Sequence, residues 1–303
     1  MIRESVDAYL KLRRVVGFAL EGPEYLLHDF ARYATERGET HVRAQTATEW
    51  AAATRSPENR ERRLQMIAIF ARHVRAEDAR HEVPPIFVFG RRSKRLTPHI
   101  YSPGEIQRLL QAASELPPTW PLRSQVFSTL FALLASTGLR VSEALNLRYG
   151  DVTADGLVIR KAKFNKRRLV PMHPTVGAAL DRYLQLRRRT SALSDFLFIS
   201  CSGGRLSRKR VGRTFAFLRQ RAGLCLGPGA RRPRVHDIRH TFAVRALEAA
   251  GIGIGPVDRY VRALSTYLGH SSVATTCWYL HATPHLMGNI ADACERFLEG
   301  AQS

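Results

Sequence analysis

The chain has 303 residues and is 45% apolar, enough to bury a substantial core without disulfides or metals, and its length suits two domains. Its 47 Lys and Arg against 26 Asp and Glu leave a formal charge of +21, too large to come from one basic tail, so a polyanionic partner is the first inference. Cys201, Cys225, Cys277 and Cys294 lack the paired spacing of a zinc ribbon or redox couple, Met1 to Leu20 lacks a signal peptide's apolar core, and no apolar run spans a bilayer; the expectation is a reduced, cytoplasmic protein with no membrane partner.

In chain order, the first segment shows helical periodicity: Leu10, Leu12, Val15 and Val16, then Leu26, Leu27, Phe30 and Tyr33, then Ile67, Phe70 and Val74. Gly17, Gly22-Pro23, Gly38 and Ser56-Pro57 punctuate it, the last pair suiting a helix N-cap and first turn. This reads as a small helical bundle. From Glu82 to Pro103 the periodicity stops, and Pro84-Pro85, the basic run Gly90 to Arg95 and Pro98 suit an interdomain linker lying along a phosphate backbone. Ser102-Pro103-Gly104-Glu105 reads as a capping box that opens a second domain near residue 100.

Within the second domain, Val126 to Leu134 is a buried helix ending at Thr137-Gly138, and Val141 to Leu147 a short helix after the break. Leu157-Val158-Ile159 and Arg168-Leu169-Val170 are β-like runs flanking the basic tip Lys163-Phe164-Asn165-Lys166. The remainder is helical, including one helix predicted to hold Arg205, Arg208, Lys209, Arg210 and Arg213. These arginines and the loop Arg231-Arg232-Pro233-Arg234 suit phosphate contacts, which position DNA without reading its sequence.

Three places combine residues able to do chemistry. In Gly138-Leu139-Arg140-Val141-Ser142-Glu143, an Arg directly after a helix break has a carboxylate one turn later on the same face; it either points at an anion or forms a surface ion pair. In His236-Asp237-Ile238-Arg239-His240, one helical face offers His236 as a proton-transfer group beside the Arg239 cation. His236 and His240 have the spacing that can begin a metal site, but no third ligand follows, so no metal is expected. Leu268-Gly269-His270 precedes Trp278-Tyr279-Leu280, where Tyr279 is either a core aromatic or a nucleophile.

The series Arg140, His236-x-x-Arg239, Leu268-Gly269-His270 and Tyr279 resembles the tyrosine recombinase (phage integrase) family in order, spacing and flanking residues from about residue 100 to 290. The resemblance implies a mainly α fold with a small β-sheet. Residues 1–83 would be a helical, SAM-like core-binding DNA-binding domain, 84–100 a basic linker, and 101–303 an α+β catalytic domain with a C-terminal exchange helix. Because the helical segment starts within the first ten residues or so, the arm-binding domain of longer phage integrases is not expected. The family's hairpin lysine aligns with Lys163 in Ala162-Lys163-Phe164-Asn165-Lys166, although both flanking glycines are replaced; Lys161 and Lys166 are alternatives.

The implied chemistry is cleavage and rejoining of DNA through a covalent 3′-phosphotyrosyl intermediate. Arg140 and Arg239 would clamp the non-bridging oxygens, Lys163 protonate the leaving 5′-oxygen, His270 donate to a phosphate oxygen, and Glu143 orient Arg140. A tyrosine hydroxyl with a pKa of about 10 needs a proton acceptor, for which His236 is the candidate. No cofactor is required. The implied partners are double-stranded DNA, a homo-tetramer on two sites and paralogous recombinases, in a mobile-element setting. Ile290, Cys294, Phe297 and Leu298 form an apolar stripe suited to docking on a neighbouring protomer or on its own domain. A non-enzymatic DNA-binding protein, a type IB topoisomerase and a basic RNA-binding protein are the rival readings.

Overall fold

The computed structural model describes residues 2–18, 20–90, 97–160, 167–189, 194–224, 232–249, 257–270, 272–277 and 279. The chain divides into two compact units, Met1–Leu96 and Thr97–Ser303.

The first unit is built from α1 (Ile2–Val15), α2 (Glu21–Thr35), α3 (Ala44–Ala52) and α4 (Pro57–Arg75). Ser56 caps α4 by accepting the Asn59 N–H, with Pro57 in the first turn where its missing donor costs nothing. Leu27, Phe30, Trp50, Ile67 and Phe70 fill the core. The Trp50 indole donates to Asp29, which also receives Arg63, and the Arg63 guanidinium lies 3.9 Å from the indole ring centroid. One sequence expectation needs revision. Leu12, Val15 and Val16 are exposed, because α1 buries the face carrying Ile2, Val6, Tyr9 and Leu10 instead. The short Ala/Thr-rich α3 has few large apolar residues to announce it.

Val83 and Phe89 pack on this core, and the backbone N–H groups of Phe87 and Phe89 donate to Glu61. His41, Asp78 and His81 bring metal-ligating atoms together there. However, Arg80 donates to both Asp78 oxygens and the Val42 N–H to His81 Nδ1, so the group reads as a polar lock closing the chain behind α4.

The second unit runs α5 (Pro103–Ser114), α6 (Arg123–Thr137), α7 (Val141–Ala144), a 3-10 turn (Tyr149–Asp151), β1 (Val152–Thr153), β2 (Gly156–Ile159), β3 (Arg168–Val170), α8 (Pro174–Arg188), α9 (Arg208–Arg221), α10 (Val235–Ala249), α11 (Val257–Leu268) and α12 (Ala274–Cys277). Ser102 and Glu105 form the reciprocal capping box that opens α5. The strands form one antiparallel sheet in the order β1-β2-β3, with Ile159 opposite Arg168. Arg205 lies outside the helix expected to hold it: it pairs across an isolated bridge with Ile199 and bonds Asn146, while α9 begins only after the Ser207 N-cap.

Phe127, Leu130, Phe131 and Leu134 of α6 are buried where α6 packs on α5, α8 and α10, with the Phe131 ring also meeting Phe215 of α9 edge-on, each such side chain contributing roughly 1.5–3 kcal/mol relative to exposure. A second cluster, Val244, Leu247, Val261, Leu264, Leu268 and Tyr279, joins α10 to α11 and the tyrosine turn. Gly138 ends α6 at φ +61°, and a Cβ there would collide with the Phe242 ring and come within 3.1 Å of Leu268 Cδ2. Only glycine permits both the left-handed turn and the close approach of α10. No helix among the described residues is long and apolar enough to cross a membrane.

Candidate active site

The site forms where two helix C-termini converge. Both α6 and α11 stop at a left-handed glycine, Gly138 at φ +61° and Gly269 at φ +66°. At Gly269 the N–H groups of Gly269 and His270 turn back to Thr266 and Ser265, a Schellman arrangement. Helix ends leave carbonyls without intrahelical partners and carry partial negative charge, so they attract cations. Arg239, only 2% exposed, donates from Nη1 to Gly138 O at 2.8 Å and from Nη2 to Leu268 O at 2.7 Å. Arg140 donates to Gly269 O at 3.2 Å and makes a long contact of 3.5 Å to Leu268 O. One planar fork thus ties α10 to the ends of α6 and α11.

Glu143 lies at the centre of the cations. Its carboxylate accepts the Arg140 backbone N–H and Nη1, each at 2.9 Å, and a two-pronged pair from Arg168, also at 2.9 Å each. Arg239 Nη1 is 3.9 Å from it. Burial raises the Glu143 carboxyl, but the hydrogen bonds and charge of Arg168, followed by those of Arg140, more than offset this and hold it at about 2. Three guanidiniums around one carboxylate leave an excess of positive charge, which suits an anion. Burial, then repulsion from Arg140, lowers the Arg239 guanidinium to about 10, so it stays charged at neutral pH.

Arg168 was missed as a site residue in the sequence, where it reads as a strand residue. It starts β3, donates from Nε to Tyr267 O at 3.0 Å, and a Cβ on Gly269 would fall 2.7 Å from its Nη1. It therefore links the hairpin to Glu143 and to the turn carrying His270. Lys163, with Lys161 and Lys166, lies outside the described residues, as does the apolar stripe at 290–298.

His236 lines a cleft of about 560 Å³ with Arg140, Ser142, Arg208, Arg219 and Arg234. Burial, followed by the positive charges of Arg239, Arg234 and Arg140, lowers its imidazole to about 4, so it is neutral at pH 7. His270 Nδ1 meets Thr276 Oγ1 at 2.7 Å, fixing the Leu-Gly-His turn to α12. The His270 ring stacks on Tyr279 with centroids 6.2 Å apart. Tyr279 is 2% exposed, and its hydroxyl lies 3.0 Å from Nδ1 of His240, a second residue whose role the sequence did not suggest. The structure thus brings Arg140, His236, Arg239, His270 and Tyr279 into one region.

A match to the Phage integrase family covers residues 101–285, which includes every residue of this site. The chain is 39% identical over 304 residues to "Putative integrase/recombinase y4rB" of Sinorhizobium fredii, covering 97% of both chains. It is 32% identical to tyrosine recombinase XerD of Caulobacter vibrioides, covering 78% of this chain and 74% of XerD. Among solved structures, the Tn1549 transposon integrase in complex with transposon right-end DNA shares the fold, with a TM-score of 0.66, 18% identity and 99% of each chain covered. With a family match over most of its length and a relative this similar from end to end, the chain belongs to the phage integrase family of tyrosine recombinases, enzymes that cleave and rejoin DNA.

Proposed function

We propose that Tyr279 attacks a DNA phosphodiester to form a 3′-phosphotyrosyl bond, and that the protein serves a mobile element as its site-specific recombinase. The observation that supports this most is the gathering of Tyr279, His270, Arg239 and Arg140 around two helix ends beside a cationic cleft. Arg140 and Arg239 would hold the non-bridging oxygens as negative charge builds on them, a task for planar two-pronged donors. His236 and His270 would complete the phosphate's hydrogen bonds. The phosphotyrosyl bond conserves the energy of the broken diester, so a 5′-hydroxyl can reverse the step without ATP.

Residues 1–83 would act as the core-binding domain and 84–100 as the basic linker to the catalytic domain. The partner is double-stranded DNA, supported by the +21 charge and by the exposed basic face of α9, whose Lys209, Arg210 and Arg213 lie opposite the buried Val211, Phe215 and Leu218, while Arg208 lines the cleft. Exchange between two duplexes breaks four strands, and one tyrosine per break calls for four protomers or two pairs of paralogues. The cytoplasm is the compartment where such a reaction meets its substrate. With DNA carrying the ends of the element beside its gene, purified protein should exchange strands in EDTA without nucleotide. Relaxation of any plasmid without exchange would instead indicate a type IB topoisomerase, and binding without cleavage a regulatory protein.

Lys163 would protonate the leaving 5′-oxygen. A 5′-bridging phosphorothioate departs with little proton assistance, so Lys163→Ala should be slow on normal DNA, by roughly 10²–10⁴-fold, and recover on the sulfur substrate. Recovery by Lys161→Ala or Lys166→Ala but not by Lys163→Ala would transfer the role to that lysine.

A further inference from the structure

We propose that His240 is the proton acceptor for the attacking hydroxyl of Tyr279, a role for which the sequence pointed to His236. The inference rests on the reading of Tyr279 as nucleophile. A phenol with a pKa near 10 must shed its proton as it attacks, and an acceptor must lie within about 2.6–3.2 Å of it. His240 Nδ1 is 3.0 Å from the Tyr279 hydroxyl. Both residues are buried, at 6% and 2% exposure, so bulk water does not compete freely for that proton.

The position on α10 explains the division of labour. Successive helical residues point about 100° apart. Arg239 accordingly reaches the carbonyls of Gly138 and Leu268, while His240 faces the tyrosine turn. His236, one turn earlier, lines the cleft with Arg140, and its ring meets His240 edge-on with centroids 4.7 Å apart. Tyr279 is held between His240, at 5.4 Å between ring centroids, and the stacked His270.

In the forward step the Tyr279 O–H bond breaks and its proton passes to His240 Nδ1 while the phenolic oxygen bonds to phosphorus. The bond from phosphorus to the 5′-oxygen breaks, and that oxygen takes a proton from the general acid. Reversal returns both protons.

The test measures single-turnover cleavage of a nicked suicide substrate by full-length protein, with tyrosine or 3,5-difluorotyrosine, a stronger acid, at position 279. His240→Ala should bind DNA normally and cleave roughly 10²–10⁴-fold more slowly, and difluorotyrosine should restore most of that loss while changing the wild-type rate little. His240→Asn keeps a hydrogen-bond acceptor near the Nδ1 position but cannot take up a proton at neutral pH, so it should be slow and equally rescued; it decides the matter if the alanine variant unfolds. Wild-type cleavage by His240→Asn, or a loss that difluorotyrosine does not reduce, would overturn the proposal by showing that His240 only positions the ring. A wild-type adduct on another residue would instead overturn the assignment of Tyr279.

Discussion

Glu143→Ala should destabilise the catalytic unit by roughly 3–5 kcal/mol, because it removes the counter-charge from buried cations while leaving the cations in place. Glu143 is the shared acceptor of Arg140 and Arg168, and Arg239 stands 3.9 Å away. Without it, Arg168 retains the Tyr267 carbonyl but loses its two-pronged partner. The sign of the pH dependence follows from the depressed carboxyl. A carboxylate held at about 2 stabilises the fold fully above the ordinary carboxylate pKa and loses that contribution as the pH falls toward 2. Urea unfolding of wild type and Glu143→Gln should therefore differ most near neutral pH and converge as the medium becomes acidic. A difference of under about 1 kcal/mol at neutral pH, or one independent of pH, would show that the cluster is not organised around this carboxylate.

Arg239→Ala should reduce cleavage by at least 10²–10³-fold, the cost of removing one preorganised donor from a buried site. It also strips the partner from the terminal carbonyls of two helices, Gly138 O and Leu268 O, at about 1–3 kcal/mol for each group left buried and unpaired. Arg239→Lys separates the two effects. An ammonium supplies the charge but not a planar fork spanning both carbonyls, so lysine should restore part of the DNA affinity and little of the cleavage rate. Single-turnover cleavage read beside thermal unfolding checks this. A lysine variant within tenfold of wild type would mean that charge alone suffices.

Much of this arrangement was legible because local chemistry dictates it. The Ser102–Glu105 box, the Ser56-Pro57 start and the Gly138 stop each need a particular residue at a particular offset, and all three appear as read. The paired runs 157–159 and 168–170 also form the expected hairpin strands. What escaped depends on distant partners. Arg168 gains its meaning from Glu143, 25 residues away, and nothing in the strand's alternation marks it out. His240 was noted only for its spacing from His236, whereas its partner is Tyr279, 39 residues on. Leu12, Val15 and Val16 misled because an apolar residue at the end of a helix fits a periodic pattern even when no neighbour covers it.

The central claim is most directly tested by locating the covalent bond. A nicked suicide substrate incubated with wild-type protein should give an adduct that survives denaturation, and peptide mass analysis should place the phosphate on Tyr279. Tyr279→Phe should bind the same DNA and give no adduct. Tyr267, whose hydroxyl donates to Pro171 O, and Tyr260, half exposed on α11, are the neighbouring phenols. Phosphate on either of these, or an undiminished adduct from Tyr279→Phe, would contradict the account.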